Sequence, residues 1–270
     1  MIKIEKAHKK FNPGTVNEVY ALQGANVHIK DGDFVTIIGT NGSGKTTLLN
    51  SIAGTFLLDS GKVFINGVDL SSKPDYKRAK LIARVFQNPF TGTSAKMSIA
   101  ENLHIAYLRD RRKAPKFGLN KRHLAFLKEE VKHLEMQLED RLFDTIGTLS
   151  GGQRQALTLL MAVINKPKVL LLDEHTAALD PKSADKVLKL TKHYVEKYKL
   201  STVMITHSMQ QALDYGNRTI MMHKGKIIED IPFEEKKWLT SDDLLEKFNN
   251  IRKNEMLNKE MLSDLTAAYA

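Results

Sequence analysis

The chain has 270 residues, 42% hydrophobic and 27% charged, which is enough to bury a substantial core. It has no cysteine, which excludes disulfides and thiolate metal sites and suits a reducing compartment, and its 41 basic and 31 acidic residues leave a net charge of +10. No apolar run approaches the roughly 18–20 residues needed to span a bilayer, and Met1–Lys6 lacks the apolar core of a signal peptide, so the composition fits a soluble cytoplasmic enzyme.

Residues 1 to about 86 read as a small antiparallel sheet followed by a strand–loop–helix unit. Phe34–Ile38 is a short apolar, β-branched run expected to form a buried strand, and Leu48–Ala53 reads as a helix. Between them stands Gly39-Thr-Asn-Gly-Ser-Gly-Lys-Thr-Thr47, which fits the Walker A pattern Gly-x-x-x-x-Gly-Lys-Thr in the strand-to-helix context that this pattern requires. Its glycines let backbone N–H groups curl around phosphate oxygens, and the helix N-terminus adds partial positive charge. Gly39, Asn41, Gly42, Ser43, Gly44, Lys45, Thr46 and Thr47 are therefore the candidate ATP contacts. Lys45 is expected on the β- and γ-phosphates and the Thr46 hydroxyl on Mg²⁺.

Further along, Arg109–Arg122 carries seven Lys or Arg against one acid. It lacks the aromatic interleaving of a single-strand nucleic-acid binder, and it reads either as a solvated loop or as a contact with lipid head groups. Glu129–Leu138 has helical spacing, with Val131, Leu134 and Leu138 on one face. Leu149-Ser-Gly-Gly-Gln-Arg-Gln155 opens a helix reaching Ile164, with Ser150 as N-cap and Gly151 and Gly152 leaving the backbone free to approach phosphate. Val169–Leu172 is a second buried strand ending in Asp173 and Glu174, and Thr202–Thr206 a third, followed by His207. Acids at the carboxyl ends of such strands lie where parallel α/β sheets bind ligands. Residues 166 to about 232 are expected to return to parallel strands. In the tail, Thr240–Asp243 reads as a capping arrangement, with Leu244, Leu245, Phe248 and Ile251 as an apolar stripe.

A Walker A loop followed by Leu-Ser-Gly-Gly-Gln resembles the ATP-binding-cassette (ABC) ATPases, whose own signature is the second motif. The resemblance covers residues 1–232. It implies an α/β fold: a P-loop NTPase core with an antiparallel β subdomain and an inserted helical subdomain at about 87–165, then a helical tail at 233–270. It implies that Ser150, Gly151, Gly152 and Gln153 close over ATP held by a second cassette, so that the working unit is a dimer, here a homodimer. Asp173 would hold Mg²⁺, Glu174 would act as general base on the attacking water, and His207 would be the switch histidine at the γ-phosphate. Gln87, in Val85-Phe-Gln-Asn-Pro89, matches the Q-loop glutamine that touches Mg²⁺ and water, and Ala178-Leu-Asp180 matches the loop that crosses the dimer interface. Family members stack adenine on an aromatic near the N-terminus. Phe11 stands at the expected place, with Tyr20 as competitor.

Residue 175 departs from the family, which commonly has Pro or Ala there. His175 either tunes the surroundings of the attacking water or packs. Asp173-Glu-His-Thr-Ala-Ala-Leu-Asp180 resembles an importer-type subgroup associated with multi-span permeases, some members of which are linked to aromatic amino-acid uptake. The expected function is therefore the ATPase subunit of an importer of small solutes, amino acids among them, using ATP and Mg²⁺ at the cytoplasmic face of the membrane. The expected partners are an integral membrane permease and an extracytoplasmic substrate-binding protein, with no specific nucleic acid. Gln87–Ile99 is the expected permease-docking segment, offering Phe90, Met97 and Ile99. Exporters normally fuse their membrane domain, translation factors usually carry two cassettes, and chromosome ATPases need a long coiled coil between Walker A and the signature; none of these is seen here.

Overall fold

The computed structural model describes residues 1–109 and 119–250. The first third contains β1 (Ile2–Phe11), β2 (Val19–Ile29), β3 (Phe34–Gly39), α1 (Lys45–Ala53), β4 (Ser60–Ile65), β5 (Val68–Asp69), α2 (Asp75–Arg78) and β6 (Ile82–Val85). The middle is helical, with α3 (Ile99–Leu108), α4 (Lys121–Lys132) and α5 (Gly151–Val163). The last part comprises β7 (Val169–Asp173), α6 (Pro181–Tyr198), β8 (Ser201–Ile205), α7 (Met209–Asp214), β9 (Arg218–His223), β10 (Lys226–Pro232) and α8 (Phe233–Lys236). A final helix, α9, occupies 241–250.

Two sheets enclose α1. One is antiparallel, ordered β2-β1-β4-β5; the other is ordered β10-β9-β3-β8-β7-β6. In the second sheet β9, β3, β8, β7 and β6 run parallel, and only β10 pairs antiparallel, on β9. The return to parallel strands expected after residue 166 thus ends in an antiparallel hairpin, closed by a turn at Lys224 and Gly225, both of which have positive φ.

Strand β7 is buried at every position, the pattern of a parallel strand covered on both faces. The period of two splits it: Val169 and Leu171 join the cluster around α1, and Leu170 and Leu172 join the cluster under the helical segment. Burying one such side chain contributes about 1.5–3 kcal/mol. On the α1 side, Leu48, Leu49 and Ile52 are fully buried between Ile2, Ile4 and Leu22 of one sheet and Val35, Ile37 and Ile205 of the other.

Two readings of the helical spacing need correction. Helix α4 stops at Lys132, because Glu135 and Gln137 adopt positive φ; Leu134 and Leu138 still reach the core, but from the irregular segment that follows. In the tail, Thr240 and Asp243 cap each other and Leu244 and Phe248 are buried against Ile38, Ala212, Met221 and Ile231, but Leu245 is 47% exposed. Ile251 and residues 110–118 of the basic stretch lie outside the described residues.

Candidate functional site

Four strand ends meet at one edge of the parallel sheet. The pairings Ile37 with Ile205, Asp173 with Ile205 and Val85 with Leu172 put the carboxyl ends of β3, β8, β7 and β6 side by side. From these ends leave the phosphate loop, Thr206–His207, Glu174 and Phe86–Gln87, so the topology delivers them to the edge where such sheets bind ligands.

The loop Gly39–Gly44 wraps tightly onto its neighbours. Gly44 has φ 98°, and a Cβ there would stand 2.4 Å from the Ala21 carbonyl oxygen of β2, so only glycine fits. Lys45 opens α1 and is nearly buried; its ammonium donates to the carbonyls of Gly39 (2.9 Å) and Thr40 (3.0 Å) of its own loop. Burial pushes its pKa down, opposed by the nearby charges of Glu174 and Asp173. The Ser43 hydroxyl is buried without a hydrogen-bond partner, while Asn41, Gly42 and Thr46 are exposed and Thr47 is half-buried.

The Thr46 hydroxyl donates to Asp173 Oδ1 at 3.3 Å. The other oxygen of Asp173 accepts from Arg84 Nη2 at 2.8 Å. Glu174 sits in the left-handed region (φ 48°), its N–H donating to the Ile205 carbonyl, and this turn brings its Oε1 to 2.6 Å from His207 Nε2. Four expected site residues, Thr46, Asp173, Glu174 and His207, are therefore joined in two contacting pairs beside Lys45. Gln87 is exposed at the same edge.

The signature end is built differently. Ser150 Oγ accepts from the Gln153 N–H and Gln153 Oε1 accepts from the Ser150 N–H, both at 3.2 Å, a reciprocal cap on α5. Gly152 packs so closely on α6 that a Cβ would lie 2.6 Å from Ser183. Asp180 caps α6 by accepting from the Ser183 N–H. The Ser183 side chain, and after it this N–H, hold its carboxyl below the usual range. Gly151 is exposed, with Leu179 as its neighbour. The side-chain hydrogen bonds of Ser150, Gln153 and Asp180 stay within their own caps or reach the Met136 carbonyl, and none of them goes to the chain's own phosphate loop.

At the base end, Phe11 is half-buried and meets Phe56 edge-on at 5.3 Å, with the Lys9 ammonium 5.7 Å from its ring. Tyr20 is 50% exposed, under the Lys10 ammonium at 4.2 Å. Lys9 and Phe11 share a face of β1, Lys9 pairs with Leu22, and Leu22 touches the Gly44 position; Tyr20 pairs with Lys10 on the other face.

Residues 22–177 match the ABC transporter family. The chain belongs to that family. It is 40% identical, over 92% of this chain and 98% of the relative, to a tyrosine transport ATP-binding protein of Clostridioides difficile strain R20291. It is 34% identical to a methionine import ATP-binding protein of Bacillus licheniformis, over 85% of this chain and 66% of that protein. Among solved structures, it superposes with a TM-score of 0.75 at 29% identity on an ATP-binding cassette captured as a dimer in a post-hydrolysis state with ADP and Pi, covering 86% of this chain and 99% of that one. The protein is thus an ABC ATP-binding subunit and an ATPase.

The cassette's residues fit its nucleotide. An ammonium that bonds only its own loop's carbonyls and a buried, unpartnered Ser43 hydroxyl are groups that phosphate oxygens would satisfy. Thr46 and Asp173 offer two hard oxygens suited to Mg²⁺. Among the described residues no group of three His, Cys, Asp or Glu could hold a metal, so most of that ion's ligands would come from phosphate and water. No helix among the described residues is long and apolar enough to cross a membrane.

Several features escaped the sequence. Arg84 is a charge inside an otherwise apolar strand, which was the signal available. Gln155 is fully buried and donates through Nε2 to the carbonyls of Phe86 (3.0 Å) and His175 (2.6 Å), tying α5 to the segments before Gln87 and after Glu174. His175 points away from the reaction edge into α6, with Nε2 3.1 Å from Thr191 Oγ1, and burial depresses its pKa to about 4. Ile99, expected at a docking surface, is fully buried in the helical core, while Met97 is half-buried and Phe90 is 61% exposed and stacked on Arg154 at 4.0 Å.

Proposed function

We propose that this cassette powers an importer that takes up an amino acid, one with an aromatic side chain, through a separate permease. The likeness to a tyrosine transport ATP-binding protein across nearly the full length of both chains carries this reading. The working unit is a homodimer in which residues 1–232 form the cassette, about 87–165 the inserted helical subdomain and 233–270 a helical tail. It sits at the cytoplasmic face of the membrane.

ATP binds with adenine against Phe11 and its phosphates in the loop from Gly39 to Thr47. The face of β1 that Phe11 occupies, shared with the neighbours of Gly44, supports Phe11 over Tyr20. Lys45 leaves its own carbonyls for the β- and γ-phosphates. Mg²⁺, held by Thr46, Asp173 and Gln87, would supply charge neutralisation on the phosphates. Glu174 takes a proton from the attacking water, and His207, 2.6 Å from that carboxylate, orients it and reaches the γ-phosphate. The partner's Ser150–Gln153 cap closes the site by directing the N-terminus of α5 at the same phosphate, and Asp180 lines the junction. Closure then moves the permease through the exposed Phe90 and the segment around it.

The cassette is expected to co-purify from detergent-solubilised membranes with a multi-span permease lacking a cassette of its own. In proteoliposomes the pair, with its extracytoplasmic binding protein, is expected to accumulate a labelled aromatic amino acid only when ATP is on the cassette side. Extrusion of the label instead assigns export. ATPase stimulation by DNA or RNA at physiological salt, with no permease recovered, overturns transport; low salt is unsuitable because a chain of charge +10 binds polyanions non-specifically.

A further inference from the structure

Arg84 stands in β6 opposite Leu171 of β7, and Asp173 lies two residues farther along the same face of that neighbouring strand. The guanidinium reaches along this face and divides its fork. Nη2 donates to Asp173 Oδ2 at 2.8 Å and Nη1 to Asn50 Oδ1 of α1, while the plane stacks on Phe86 at 4.5 Å, one residue before Gln87. Both side chains are largely shielded, 15% exposed for Arg84 and 12% for Asp173, so solvent screens the pair weakly. With Oδ2 taken by Arg84, Oδ1 is the oxygen that meets Thr46.

We propose that Arg84 is the resident counter-ion of Asp173: a positioning residue that turns one carboxylate oxygen toward Thr46 and prevents the site from taking a divalent cation before a nucleotide arrives. A lone shielded carboxylate beside a hydroxyl attracts a divalent cation. Paired with a fixed guanidinium it is neutral and offers one oxygen, and the guanidinium repels the incoming ion. Nucleotide phosphates reverse that balance by adding negative charge and oxygen ligands together, so cation and nucleotide enter as one. This inference rests on Asp173 being the carboxylate that serves the metal.

The test is Mn²⁺ binding followed by electron paramagnetic resonance, without nucleotide and then with ADP. Without nucleotide, R84M is expected to bind one Mn²⁺ at least tenfold more tightly than the wild type. R84K keeps the charge and is expected to behave as the wild type. N50A cuts the other arm of the fork and is also expected to leave Mn²⁺ binding unchanged, which separates charge from local packing. With ADP, the wild type is expected to gain a Mn²⁺ site that D173N lacks. Equal Mn²⁺ affinity in R84M and wild type, with D173N still deficient, overturns the counter-ion role alone. A D173N protein that binds Mn²⁺ with ADP as the wild type does overturns the metal assignment of Asp173 and the inference with it. Equal tightening in R84M and R84K overturns the role of charge.

Discussion

The two glycine-rich motif regions of this chain are finished to different degrees. At the Walker edge the sheet itself does the assembly: adjacent strands end together, and Thr46 with Asp173 and Glu174 with His207 are already in contact. At the signature end the polar groups bond one another. Ser150 and Gln153 cap their own helix, and Asp180 caps the next. A strand end fixes a side chain relative to its neighbours through hydrogen bonds on both sides, whereas a helix N-terminus offers its free N–H groups outward. One region brings its polar groups together within the chain; the other, in the proposed homodimer, is the complementary face for nucleotide held by the partner.

The largest effect expected within this contrast is at the finished edge. Glu174→Gln keeps the shape and loses the base, so hydrolysis is expected to fall by about 10²–10⁴-fold while nucleotide still binds, as checked by phosphate release beside fluorescent-nucleotide titration. At the outward face, Ser150→Asp preserves the cap, because aspartate serves as well as serine there. It adds a like charge against the partner's phosphate. ATPase is expected to drop by about tenfold or more at unchanged thermal stability and unchanged nucleotide affinity of the monomer. If hydrolysis survives in Ser150→Asp, the signature does not act across an interface.

Smaller effects sharpen the comparison. Phe11→Ala is expected to weaken ATP affinity by about 1–3 kcal/mol with little change in bound-state hydrolysis, and Tyr20→Ala to change neither; isothermal titration of both variants decides which aromatic holds adenine. His175 joins the two regions, with its side chain on α6 and its carbonyl on Gln155. The unfolded chain protonates this histidine below about 6.5, the folded chain not until about 4. Stability from its neutral form is thus complete above 6.5 and is lost as pH falls through that window, about 2 kcal/mol by pH 5. Urea unfolding at pH 7 and 5 is expected to show His175→Gln losing correspondingly less than the wild type.

The Walker edge was legible in the sequence because its signals are local. An all-apolar run such as Val169–Leu172 ending in two acids specifies a covered strand and a ligand edge at once, and Ser150 before an apolar helix reads as an N-cap, although Gln153 returning the bond was not read. Distant contacts were not legible. Nothing in Glu135 or Gln137 announces the left-handed backbone that ends α4, because Leu134 and Leu138 keep a helical rhythm while packing from a loop. The partner of Arg84 lies in a strand nearly ninety residues away. Leu245 differs from Leu244 only in which way a short helix is turned, and the core beneath it decides that.

Helix α1 carries the phosphate loop at its N-terminus, yet Leu48, Leu49 and Ile52 are wholly enclosed between the two sheets. Its amides therefore belong to the last part of the domain to open and are expected to exchange with deuterium only on global unfolding. A ligand tethered there is linked by mass action to the entire fold. At a hundredfold excess over its dissociation constant, nucleotide raises the unfolding free energy by about 2.7 kcal/mol, so a melting curve taken against ligand concentration measures affinity without any turnover.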